Sequence, residues 1–154
     1  RFKAGKDSPF LAEDHELPVP PMHRLRELEE ASRNFEDADP SDPHYREWLN
    51  LLLAPGTSLG GARPKATVMD PAENLWVAKF PSRSDEFDIG AWEFLVYDLA
   101  RQAGIMTVET RIESFSKSGH TFLIKRFDRA GEDRIHFASA MTLLCTITQS
   151  SSGN

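Results

Sequence analysis

Lys79 sits near the end of an alternating run, Leu75-Trp76-Val77-Ala78-Lys79-Phe80. Trp76, Ala78 and Phe80 share one face of a strand there, and Leu75, Val77 and Lys79 share the other. An ammonium in an otherwise apolar row is costly to bury unless an anion meets it. Glu93 offers one, because it falls four residues after Ile89 and three before Val96, at the margin of the apolar face of the next helical pattern. A strand lysine and a helix glutamate on core-facing sides relieve each other's desolvation. Taken singly, they read more simply as a snorkelling lysine and a boundary glutamate. Upstream runs Gly56-Thr57-Ser58-Leu59-Gly60-Gly61-Ala62-Arg63-Pro64-Lys65. Adjacent glycines let backbone N–H groups approach phosphate oxygens, and Lys65 adds positive charge. By itself the same stretch is an ordinary surface turn between a helix and a strand. A Walker A loop is disfavoured, since it needs Gly-Lys-Ser/Thr in sequence and three residues separate Lys65 from Gly61.

Together the three features describe a loop over nucleotide phosphates, a strand lysine that contacts them and a helix glutamate that holds the lysine. Those are the parts of a kinase small lobe. A sheet and a helix must position them, and the pattern predicts both. Two β-like runs, 66–69 and 75–80, flank Asp70-Pro71-Ala72-Glu73-Asn74, which reads as strand, turn, strand. A polar connector over 81–87 leads to an amphipathic helix with an expected core stripe of Ile89, Trp92, Val96, Leu99 and Ala103, closed by Gly104. Two more strands, 108–115 and 121–127, flank a hairpin turn at Ser116-Lys117-Ser118-Gly119. A short helical start follows over 139–144. Ahead of the sheet, Leu25, Leu28, Ala31 and Phe35 recur at helical steps from Pro21 onward. The 37–43 segment, with Pro40 and Pro43, breaks that helix. Tyr45, Trp48, Leu49, Leu52 and Leu53 then mark a second helix, expected to pack against the first. Residues 1–20, broken by Pro9, Pro18 and Pro20, read as extended pieces and loops.

Composition narrows the class. At 40% hydrophobic and 27% charged, the 154 residues suit one globular domain that buries a core without disulfides or a structural metal. The 24 acidic against 18 basic residues, net −6, argue against a nucleic-acid surface. The lone Cys145 cannot form an internal bridge and no Cys/His cluster has zinc spacing, so a reducing, cytoplasmic setting is expected. Apolar stretches fall short of the ~20 residues of a membrane span. Arg1-Phe2-Lys3-Ala4-Gly5-Lys6 lacks the apolar core of a signal peptide, so neither membrane nor secretion is expected. His15, His23, His44, His120 and His136 show no paired metal spacing, and no Gly-x-Ser-x-Gly elbow occurs.

Four stretches then stand in order: Ser58 to Lys65; Trp76-Val77-Ala78-Lys79-Phe80-Pro81; Leu99-Ala100-Arg101-Gln102-Ala103-Gly104-Ile105; and Lys125-Arg126-Phe127-Asp128-Arg129. They closely resemble the N-terminal kinase lobe of the HipA-type toxins, serine/threonine kinases of bacterial type II toxin–antitoxin systems. The resemblance covers essentially the whole chain. Residues 1–54 look like part of the family's N-terminal region with connecting helices, and 55–144 look like the kinase N-lobe. The resemblance implies that Gly60, Gly61, Ala62, Arg63, Pro64 and Lys65 form the nucleotide-phosphate loop. It makes Lys79 the phosphate-contacting lysine and Glu93 its partner, and Lys125, Arg126 and Phe127 the hinge beside the adenine. Ser58 matches the serine that family members autophosphorylate, which ejects the loop from its ATP-binding conformation, with Thr57 a rival acceptor. Without the other motifs, 126–129 is equally a solvated strand end and Ser58 an ordinary loop serine. ATP and Mg2+ are the implied cofactors. An antitoxin of the HipB type and a protein substrate with a hydroxyl acceptor are the implied partners.

One departure bears on activity. The family continues into a larger helical lobe with a catalytic-loop aspartate and a magnesium-binding aspartate in an Asp-Gly-His-containing segment, and this sequence has neither. The expected fold is therefore α+β, a small antiparallel sheet with packed helices, kinase N-lobe-like with the C-lobe absent. Residues 145–154 are expected to be a disordered or non-family tail. The expected function is the ATP-binding half of a HipA-like serine/threonine kinase, inactive alone. The alternatives are a non-catalytic binding module that engages an antitoxin or partner lobe, and an inert truncation product.

Overall fold

The computed structural model describes residues 19–52, 63–130, 133–138, 140 and 142–144. The Pro20 carbonyl accepts the Met69 N–H at 3.0 Å and Pro21 bridges to Met69, so the entering chain runs along a sheet edge. A 3-10 turn, Met22–Arg24, opens into α1 (Leu25–Asp37), whose Leu25, Leu28 and Ala31 are buried. The helix stops at Ala38, which is extended, ahead of Pro40, whose ring disfavours helical geometry in the residue before it. Asp39 and Asp42 shape the link by accepting the N–H groups of Ser41 and His44. α2 (Tyr45–Leu52) then folds back on α1, with the Phe35 and Tyr45 rings 4.9 Å apart, the helix pair that the pattern predicts.

The sheet comprises β1 (Lys65–Met69), β2 (Leu75–Lys79), β3 (Thr110–Ser116) and β4 (Gly119–Lys125), all antiparallel in the order β1-β2-β4-β3. Asp70 builds the β1–β2 turn. Its carboxylate accepts the N–H groups of Ala72 and Asn74, both at 2.9 Å, and the Trp76 indole N–H at 3.0 Å. β3 begins and ends later than the 108–115 run, and β4 starts at Gly119, two residues before the expected start. A register shift between Glu113 and Ser116 accounts for the tighter hairpin, since a bulge increases local twist and bend. A small second pair, β5 (Arg129–Ala130) and β6 (Asp133–Arg134), was not foreseen, because two-residue strands leave no alternation to read. Residues 140 and 142–144 are helical, within the short helix expected there.

Ala66, Val68, Trp76, Ala78 and Leu123 form one face of the sheet and pack with Leu25, Leu28 and Leu52. Each large side chain fully buried there contributes about 1.5–3 kcal/mol, so this layer fixes the sheet on the α1–α2 pair. Glu29 is buried within it, where it accepts the Thr121 hydroxyl at 2.5 Å and lies 3.4 Å from Arg33. The fold is α+β.

α3 (Ile89–Gln102) lies on the other face, turned differently from the expected stripe. Trp92, Val96 and Leu99 are exposed, while Gly90, Glu93 and Tyr97 face the sheet, with Tyr97 5.5 Å from the Phe122 ring. The reason lies at Gly90: a Cβ there would sit 2.0 Å from the His120 carbonyl oxygen. Only the glycine edge can approach so closely, and it sets the rotation of the helix against the apolar weight of the stripe. Gly104, at φ 79°, ends the helix as the pattern predicts. No helix among the described residues is long and apolar enough to cross a membrane. Residues 1–18 and 145–154, for which extended pieces and a tail were expected, lie outside the described residues.

Candidate functional site

The sheet face turned toward α3 is read directly from the register: Thr67 stands opposite Val77, Val77 opposite Ile124, and Lys79 opposite Phe122. α3 covers the Phe122 end. At the other end a cavity of about 220 Å³ remains open, lined by Lys65, Thr67, Val77, Ile124, Phe127 and Phe137 with the 125–128 segment. Sites that enclose a whole drug-sized ligand run to about 300–1,000 Å³, so this one fits a flat ring and leaves the rest of a ligand outside.

Beside it, Lys79 Nζ lies 2.5 Å from Glu93 Oε1, with each side chain 30% exposed. Lys79 also sits 5.5 Å from the centre of the Phe122 ring, whose electron-rich face favours a cation. Glu93 Oε2 is buried and accepts no hydrogen bond from a described residue, so it keeps an open acceptor. Lys65 stands opposite Lys79 in the β1–β2 register. Two ammonium-bearing positions thus neighbour each other on the cavity face, and Glu93 holds the Lys79 ammonium.

Other residues of the expected phosphate loop lie elsewhere. Arg63 pairs with Asp85, whose same oxygen accepts the Ser82 N–H at 2.8 Å. Its guanidinium is thereby engaged at the 81–87 connector. The Pro64 carbonyl accepts the Phe80 N–H at 3.0 Å and extends the β1–β2 pairing. Thr57, Ser58, Gly60, Gly61 and Ala62 lie outside the described residues.

The 125–128 segment is held from both sides. The Lys125 N–H donates to the Glu109 carbonyl at 2.9 Å and the Arg126 N–H to the Leu75 carbonyl at 2.8 Å. The Arg126 guanidinium grips Asp128 with two bonds, Nε to Oδ1 at 2.8 Å and Nη2 to Oδ2 at 2.6 Å. That fork, opposed by burial and helped by Arg129, holds the Asp128 carboxyl below the usual carboxylate range. The same fork raises Arg126. The Asp128 carbonyl accepts the Ile135 N–H at 3.1 Å and returns the chain, so that Phe137 meets Phe127 edge-on at 4.9 Å. Sequence reasoning missed Thr67, Ile124, Asp128 and Phe137. Thr67 and Ile124 were accessible from the pairing of Val77. Phe137 had no local signal.

The start of α3 is tied down by Asp88. Its Oδ1 accepts the Ala91 N–H at 3.0 Å and the His120 N–H at 3.1 Å, while Oδ2 pairs with His120 Nδ1. Burial would raise this carboxyl, yet these donors, the His120 ring first, hold it below its ordinary value. Among the described residues no three or more His, Cys, Asp or Glu side chains are grouped to hold a metal ion.

The family model of the HipA-like C-terminal domain matches residues 57–152. The chain belongs to this family. The HipA-like span takes in the whole four-stranded sheet, α3, the Lys79–Glu93 pair and the cavity, and runs past Leu144; α1 and α2 precede it. No curated protein and no solved structure matches the chain.

Proposed function

We propose that this HipA-like chain binds ATP on the open face of its sheet, as the nucleotide-binding part of a serine/threonine protein kinase from a toxin–antitoxin pair. The observation that carries this reading is the Lys79–Glu93 ion pair beside an apolar, aromatic-edged cavity. A flat base fits among Val77, Ile124 and Phe127, and the polyphosphate then runs toward Lys79 and Lys65. Glu93 keeps the Lys79 ammonium extended over the face, and the lysine's remaining N–H donors serve phosphate oxygens. Phosphoryl transfer depends on such positioning and charge stabilisation more than on covalent chemistry by the protein. Mg2+ would accompany the nucleotide and neutralise its charge; the described residues supply no carboxylate cluster for it. The same reading makes Ser58 the autophosphorylation site, where roughly −1.5 to −2 added charges would compete with ATP for the lysines. It makes an antitoxin of the HipB type and a protein hydroxyl the partners, in the cytoplasm.

The test is an equilibrium titration with ATP and, separately, with adenosine, on the wild type and on Lys79→Met. ATP should bind with a Kd of about 1 mM, near −4 kcal/mol. Lys79→Met should weaken ATP about tenfold and leave adenosine unchanged, because the lysine serves the phosphates. Absent ATP binding, or ATP and adenosine weakened alike, contradicts the proposal.

A second reading, a non-catalytic module that engages a protein partner, is favoured by one feature. Trp92, Leu95, Val96 and Leu99 form an exposed apolar row along α3, and apolar patches of this kind mark interaction surfaces. It predicts no response to ATP at all.

A further inference from the structure

α3 is held to the sheet without a fully buried apolar side chain, although Ile89, Phe94 and Tyr97 are half-buried. Among its residues only Gly90 is buried, and Trp92, Leu95, Val96 and Leu99 face outward. Helices in proteins owe most of their stability to a packed apolar face, so the position of α3 rests on a few discrete anchors. Tyr97 against Phe122 is one, the Lys79–Glu93 pair is another, and the third is the clamp between Asp88 and His120 at the helix start. In the clamp one carboxylate gathers the Ala91 N–H, the His120 N–H and the His120 ring. It has no slack, because Gly90 already lies too close to the His120 carbonyl for a Cβ to fit. Glu93 follows Asp88 by five residues, about 7.5 Å along the axis. A shift at the clamp is therefore carried to Glu93 within little more than one turn.

Resting on the nucleotide reading above, we propose that Asp88 and His120 are positioning residues of that site: their clamp sets where α3 lies on the sheet, and so whether Glu93 reaches Lys79. The bond needs a hydrogen on Nδ1, which the Nδ1–H neutral tautomer and the imidazolium both provide. An asparagine amide can place its nitrogen near the Nδ1 position, whereas a glutamine amide reaches nearer Nε2. His120→Asn should therefore preserve the clamp, and His120→Ala and His120→Gln should lose it.

The experiment reads the amine reactivity of Lys79, which needs no nucleotide. Folded variants, checked by thermal melts, are treated briefly with acetic anhydride, and acetylation at Lys79 is counted by peptide mass spectrometry with Lys117 as the internal reference. His120→Ala should raise Lys79 acetylation roughly fivefold, the effect of losing one hydrogen bond on an equilibrium, and bring it near the Glu93→Gln level. His120→Asn should stay at the wild-type level. Adding His120→Ala to Glu93→Gln should change nothing further. If His120→Ala does not fold, His120→Gln takes its place with the same expectation. Wild-type reactivity in the variant, an equal increase in the Glu93→Gln background, or a parallel rise at Lys117 would overturn the proposal. ATP titration of the same set separates the two claims. Lys79 acetylation in the expected order, with ATP bound by no variant and not by the wild type, supports the clamp and overturns only the nucleotide reading.

Discussion

Lys79 and Glu93 meet at 2.5 Å across the junction of β2 and α3, each with 30% of its side chain exposed. That exposure sets the energy. Fully exposed pairs couple by about 0.2–1 kcal/mol, whereas cutting one partner from a buried pair costs about 3–5 kcal/mol. A double-mutant cycle with Lys79→Met and Glu93→Gln should therefore give a coupling of about 0.5–1.5 kcal/mol in urea unfolding. Additive effects would show that the two charges do not stabilise each other.

Gly90→Ala sets two effects against each other. Alanine gains about 1 kcal/mol of helix propensity over glycine. Its Cβ, however, would lie 2.0 Å from the His120 carbonyl oxygen, a backbone atom that cannot swing away. Forced repacking costs about 1–3 kcal/mol, and a clash with rigid backbone falls in the upper part of that range, about 2–3 kcal/mol, so the clash wins and the variant should be less stable by about 1–2 kcal/mol. An unchanged or higher urea midpoint would mean that α3 does not lie as close to β4 as described.

Asp70 gives a pH signature. Burial opposes its charge, yet the Trp76 indole and the Asn74 and Ala72 donors hold its carboxyl down to about 2, from 3.8. A carboxyl depressed in the folded state stabilises above its unfolded pKa, and the effect fades as pH falls through the folded one. The Tm advantage of the wild type over Asp70→Ala should be full above pH 3.8 and shrink toward pH 2. A Tm difference that stays constant from pH 6 to pH 2 would show that the loss is one of shape and not of charge.

Arg126→Lys replaces a two-bond fork by a single point charge and should cost about 1–2 kcal/mol. Because the Arg126 bond is the chief cause of the low Asp128 pKa, the substitution should also raise that value, visible in the carboxyl carbon shift of Asp128 during acid titration. The stability difference from the wild type is present above the unfolded Asp pKa and disappears as pH falls through the folded one. A titration curve for Asp128 identical in both proteins would contradict the fork.

The two hairpins were legible in the sequence because each is local, whereas the β2–β4 pairing that joins them across α3 left no trace in the alternation. Period-two alternation between Asp70-Pro71 and Ser118-Gly119 turns produces two hairpins, and hairpins need no long-range information. The approach of Lys79 to Glu93 was legible in part: Lys79 breaks an apolar strand row and needs an anion, and Glu93 stood at the margin of the expected helix stripe, although that stripe itself faces outward. The rotation of α3 was not. Apolar weight pointed through Trp92, Val96 and Leu99, whereas docking follows Gly90, whose lack of a side chain adds nothing to an apolar count. The engagement of Arg63 with Asp85 and the return of Phe137 to Phe127 depend on loop paths, which leave no periodic trace.

The most direct measurement of the nucleotide proposal is a ¹H–¹⁵N shift map of the chain titrated with ATP. Shifts should concentrate at Thr67, Val77, Lys79, Ile124 and Phe127, saturating near about 1 mM, and Lys79→Met should move the midpoint upward about tenfold. Shifts absent at saturating ATP, or confined to the opposite side of the sheet around Met22 and Phe115, would contradict a nucleotide site at the Lys79–Glu93 pair.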